Sequence, residues 1–161
     1  HMNAIFLKDA NSLNKYNMSN KEDGLKAIQE ANDQEAFVFW NHPNWISNRD
    51  DGIARLDKFH KILLKKKLFH GIEVVNEHTY SEEALEIALK HNLTIMGTSD
   101  VHGLIDWDYH KEKNAHRPIT LILTDNRPSK SIRDALCSQK TFVWFKHIVL
   151  GKEEKLLQAV V

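Results

Sequence analysis

At 161 residues, with zero formal charge and 42% hydrophobic content, the chain is long enough for one domain with a proper core, and nothing in it suggests a second. Balanced charge excludes the broad basic field that non-specific nucleic-acid binding needs, so any phosphate affinity must be local. No run reaches the length of a membrane-spanning helix, and the single Cys137 excludes an internal disulfide or a cysteine-based zinc site. Beside Ala135 and Leu136 at a helical position, Cys137 reads as a small packed hydrophobe. Ten histidines without a histidine tract favour a metal or proton-transfer site.

The chain opens His1-Met2-Asn3 with no signal-peptide pattern, which reads either as a cloning remnant or as a cut inside a longer protein. Short apolar runs rich in β-branched and aromatic residues predict strands at 4–7, 36–40, 71–76, 93–98, 118–124 and 141–150, the last broken into a hairpin-like pair. Helical patterns lie between and after them, at 21–31, 52–67, 81–91, 129–138 and 152–161. In the second of these, Ile53, Leu56, Phe59, Leu63 and Leu64 recur at helical spacing, and Lys65, Lys66 and Lys67 complement the dipole at its end. Ser81 followed by Glu82 and Glu83 is an N-cap with acids in the first turn, and Ser129 after Pro128 marks another start. The longest irregular segment is 103–117, and the chain has no internal repeat and no glycine-rich phosphate loop. Alternating strands and helices argue for an α/β fold, either a mostly parallel sheet or part of a barrel, with ligands at the carboxyl ends of the strands.

Two strand ends carry chemistry. Ser99-Asp100-Val101-His102-Gly103 follows the run 93–98, and an extended backbone points the carboxylate of Asp100 and the imidazole of His102 the same way. Composition alone produces about one acid-x-His coincidence, so context must decide. Asp108-Tyr109-His110 has the same spacing but no strand before it, and reads as loop surface. His42, in Asn41-His42-Pro43, ends the strand 36–40, because Pro43 blocks its continuation, and reads either as a ligand on the same rim or as a hydrogen-bonded turn residue. Imidazole and carboxylate together accept Zn²⁺, Mn²⁺ or Fe²⁺. His60, His70, His91 and His147 lie in helix or strand patterns without an acid at metal spacing and read as structural.

In this order, Asn41-His42-Pro43, the strand Gly71-Ile72-Glu73-Val74-Val75-Asn76 and Ser99-Asp100-Val101-His102-Gly103 resemble the PHP superfamily of metal-dependent phosphoesterases, named for polymerase and histidinol phosphatase. The resemblance implies a distorted (β/α)7 TIM-like barrel holding two or three zinc, manganese or iron ions and hydrolysing phosphate esters. It makes His42 the mid-domain histidine ligand, and Asp100 and His102 the late Asp-x-His pair. Family members begin with His-x-His, which occurs nowhere in this chain, so the front strands of the domain are expected to be absent. The family also has a Gly-His shortly before a strand like Asn3-Ala4-Ile5-Phe6-Leu7, which makes His1 either that ligand or a cloning remnant.

With part of the ligand set, the isolated chain is expected to bind metal weakly and to show little hydrolase activity. Arg117 reads either as a solvated surface residue or as a fork onto a substrate phosphate, and Trp45, Trp107 and Tyr109 read either as packed loop aromatics or as platforms that stack on a base or sugar. Asn76 and His78 follow a strand and are placed to support the site; Glu73 should point away from Asn76 and act as a polar anchor in the barrel. The expected partner is a phosphorylated small molecule or nucleotide, with no membrane and no strong nucleic-acid signal. An exposed sheet edge would favour a homodimer. Two further readings stand: a metal hydrolase of the amidohydrolase type, and a non-catalytic α/β binding module.

Overall fold

The runs at 37–40 and 71–76 become β2 (Phe37–Trp40) and β3 (Gly71–Asn76), buried at every residue, as strands covered on both faces must be. In the computed structural model, which describes residues 1–17, 19–109 and 116–152, they form the middle of a five-stranded sheet. The element order is β1 (Met2–Ile5), a 3₁₀ turn (Asn11–Lys15), α1 (Lys21–Asp33), β2, α2 (Lys58–Lys65), β3, β4 (Thr79–Tyr80), α3 (Glu82–His91), β5 (Thr94–Thr98), α4 (Ile105–Asp108), β6 (Ile119–Ile122), α5 (Ser129–Cys137), β7 (Thr141–Phe145) and β8 (Ile148–Gly151).

The expected parallel sheet exists as β2-β3-β5, with β1 antiparallel to β2 at one edge and β4 antiparallel to the end of β3. The fold departs from a mostly parallel arrangement in a second sheet, where β6, β7 and β8 form an antiparallel meander. Apolar runs report burial and not strand direction, whereas the short Lys146-His147 turn forces β7 and β8 to run antiparallel. Among the described residues the strands form these two sheets and do not close into one. The sheets meet where Gly97 on β5 faces Val143 on β7, with the Thr141 hydroxyl donating to the Ile95 carbonyl at 3.0 Å. Phe37, Leu63, Ile72, Ile95 and Leu136, followed by Val38, Val74, Val75 and Val143, are the largest apolar side chains that are essentially without solvent exposure.

Local differences have local causes. β1 ends two residues early because Phe6 turns the chain at φ 67°, and it begins two residues early because Met2 already pairs with Trp40. α2 starts at Lys58, not at residue 52: Asp57 caps it by accepting from the His60 N–H at 3.0 Å, and the preceding segment is extended, burying Ala54 without helical turns. Ser81 caps α3 as expected, accepting from the Ala84 N–H at 3.2 Å. Cys137 is exposed, because Ala135 and Leu136 take the inward face of α5 and the next residue rotates away from it. The helix expected at 152–161 lies almost wholly outside the described residues. Among those described, no helix is long and apolar enough to cross a membrane.

Candidate metal centre

The end of β2 is held by the edge strand before it. The Asn41 N–H donates to the His1 carbonyl at 3.1 Å, extending the β1–β2 ladder by one rung and laying His1 beside His42. His1 Nδ1 and His42 Nε2 are 2.9 Å apart, one donating to the other, with their rings at 85°. Trp45 closes over both, its ring centroid 5.0 Å from His42 and 5.8 Å from His1. His42 has φ 29° and Asp100, beyond the end of β5, has φ 49°; both are left-handed conformations that non-glycine residues seldom adopt.

Asp100 stands between two cavities. One, of about 880 Å³, is lined by His1, Asn41, His42 and His60 over an apolar floor that includes Ala31 and Val38. The other, of about 600 Å³, is lined by His102, Glu77, His78, Trp107 and Tyr109. His42 and Asp100 thus line one cavity, and His102 and Asp100 line the other. Among the described residues no three His, Cys, Asp or Glu side chains are gathered into a metal-holding group. Arg117 is exposed and borders neither cavity. Trp107 is 67% exposed at the second cavity, where the buried Tyr109 ring lies 5.1 Å from that of His78 and its hydroxyl donates to the Ser99 carbonyl at 3.3 Å. Asp108 ends α4 on the surface, and His110 lies outside the described residues.

Glu73 is 1% exposed and accepts four hydrogen bonds. Oε1 takes the Asn41 amide at 3.0 Å and the Thr98 hydroxyl at 2.7 Å, while Oε2 takes the His42 N–H at 2.6 Å and the Asn76 amide at 2.9 Å. Strict alternation would have sent Glu73 and Asn76 to opposite faces. A bulge at Val74, where β3 spends two steps against one on β5, shifts the alternation and brings them together. Burial raises the Glu73 carboxyl above the usual carboxylate range, against the pull of its donors.

His70 is structural as expected, its Nδ1 accepting from the Val38 N–H at 3.0 Å. His60 is less inert than its helical pattern implied. It stacks on Trp40 at 3.9 Å, lines the larger cavity and has Nδ1 3.0 Å from Asp57 Oδ1, though without hydrogen-bond geometry. Its signal in the sequence is the helix-capping Asp57-x-x-His60 spacing.

Burial lowers the pKa of His42, His60 and His70 below the ordinary 6.5, so the unfolded chain binds protons that the folded one rejects. Their contribution is whole above about pH 6.5 and is lost as pH falls through the lowered values. The raised Glu73 works the other way, its contribution whole below about 4.5 and lost as pH rises through its raised value. The histidine effect leads us to expect the thermal midpoint to fall between pH 7.5 and 5.5. His60→Phe should flatten that slope in a calorimetric pH series.

No protein-family model matches the chain, and no curated protein matches it. Among solved structures, it is similar to a two-domain protein from Bacteroides vulgatus ATCC 8482 that contains a predicted PHP-like metal-dependent phosphoesterase. The two share 40% identity and superpose with a TM-score of 0.88 over 98% of this chain. The chain spans 44% of that protein, less than half its length. The PHP resemblance read from Asn41-His42-Pro43, the β3 strand and Asp100-x-His102 is thus matched by a neighbour that contains a predicted PHP-like phosphoesterase and that is similar to nearly the whole of this chain.

Proposed function

We propose that the chain supplies part of the divalent-metal centre of a PHP-type phosphoesterase, with His42, Asp100 and His102 as ligands and His1 beside them. The observation that carries this is the placement of Asp100 between the two cavities, His1 and His42 on one side and His102 on the other. The donor set fits Zn²⁺, Mn²⁺ or Fe²⁺, since it offers neutral imidazole and carboxylate without sulfur. His42 Nδ1 is buried without a hydrogen-bond partner, and burial favours the neutral ring that ligation requires. Two or three such ions, when bound, would neutralise phosphoryl oxygens and activate water for attack. The chain's own residues would place the donors: β2 leads into His42, β5 leads into Asp100, and Trp45 packs its ring against the imidazole pair. A partial, distorted TIM-like (β/α)7 barrel and a phosphorylated small molecule or nucleotide as substrate complete the reading.

The isolated chain should bind metal weakly, because its donors are divided between two cavities and His1 and His42 are spent on each other. Titration with Mn²⁺ and Zn²⁺, followed by elemental analysis, is expected to find no more than about one weakly held ion per chain, with slow hydrolysis of a nitrophenyl phosphate. Tight binding of two or more ions would overturn the weak-binding prediction. Cleavage of an amide in place of the phosphate ester would overturn the phosphoesterase assignment in favour of an amidohydrolase-type centre.

A further inference from the structure

Glu73 is the one charged side chain buried among the described residues, and it lies where the carboxyl ends of β2, β3 and β5 meet. A carboxylate has about four acceptor sites, and all four here are taken, which leaves it no lone pair for a cation. Its donors come from three strands: Asn41 and His42 at the end of β2, Asn76 on β3 and Thr98 on β5. The shortest of the four, at 2.6 Å, runs from the backbone N–H of His42, the group whose direction φ of His42 fixes. Thr98 precedes Asp100 by two residues, so the same carboxylate anchors the approach to the second strained residue. We propose that Glu73 is a positioning residue, holding His42 and Asp100 in their left-handed conformations by tying the ends of β2 and β5 to β3. This rests on the reading of His42 and Asp100 as metal ligands.

The role is geometric, so the conservative variant should rescue it. In Glu73→Gln the amide oxygen can stay on the His42 N–H. Asn41, whose Oδ1 has no partner, can turn over to accept from the new amide, and the Thr98 hydroxyl can rotate to do the same. Glu73→Ala offers no such substitute. In the metal-free chain, Glu73→Ala is expected to move the His42 backbone amide and imidazole nitrogen resonances, while Glu73→Gln keeps the ring signals near wild type. Mn²⁺ affinity should fall by more than about tenfold in Glu73→Ala and by less than about threefold in Glu73→Gln, the scale of losing a group that orients a ligand.

Thr141→Val is the control for destabilisation alone. It removes a buried hydroxyl bonded to Ile95 and should leave both readouts at wild type. Should Glu73→Ala fail to fold, Thr98→Val decides: Thr98 has no hydrogen bond to His42, so a shift of the His42 amide must pass through the shared carboxylate. Wild-type His42 resonances in Glu73→Ala or Thr98→Val, or equal shifts in Thr141→Val, would overturn the proposal. If the wild-type chain binds no Mn²⁺, the ligand reading fails instead, and the resonances of the metal-free chain still judge the positioning.

Discussion

Replacing Asp100 with asparagine is expected to lower the Mn²⁺ affinity of the chain by at least about 100-fold, the upper end of what removing a ligand's supporting partner costs. Of the described residues lining the two cavities, Asp100 is the one they share. Asparagine keeps its shape and removes the negative charge that a divalent ion needs close by. His42→Ala and His102→Ala each touch a single cavity and should cost less individually. Electron paramagnetic titration of Mn²⁺ orders the three variants, and wild-type affinity in Asp100→Asn would remove the central ligand from the scheme. Phosphate-ester hydrolysis, wherever it is measurable, should fall in the same order.

The second large effect concerns stability. A methyl group added at Gly97 would lie 2.3 Å from Val143 Cγ1 and 3.1 Å from Cγ2, far inside van der Waals contact. Val143 is fully buried and β-branched, so its methyls cannot swing aside, and the two sheets would have to separate. Separation would also pull on the Thr120 hydroxyl, which accepts from the Gly97 N–H and donates to its carbonyl, both at 2.9 Å. Gly97→Ala should therefore cost between about 1 and 3 kcal/mol in denaturant unfolding. Pairing it with Val143→Ala should recover part of that loss, a non-additivity that a contact between the two positions requires. Simple additivity would mean that the sheets do not depend on this approach.

The strands were legible because burial on both faces leaves uninterrupted apolar runs, and β3 was read to the residue. The direction of β6, β7 and β8 was not, since an apolar run looks the same in either sense and only the 146–147 turn betrays a hairpin. The start of α2 is hidden because Ile53 and Leu56 keep helical spacing although they precede the helix, Leu56 packing on the core from irregular chain and Ile53 staying exposed. At the site, Asp100, His102 and His42 were legible as residues that end strands. Their division between two cavities was not, because it depends on loop paths after β2 and β5. The meeting of Glu73 with Asn76 was hidden by the bulge at Val74, which leaves no mark in the residue types around it. His60 was passed over because its acid, Asp57, is a helix cap first and a neighbour of the ring second.

A single aspartate forming the party wall of two chambers has a thermodynamic consequence. On the proposed ligand reading, a cation entering one side would claim a charge that the other side then lacks, so the two occupancies would oppose each other, and by linkage would do so equally in both directions.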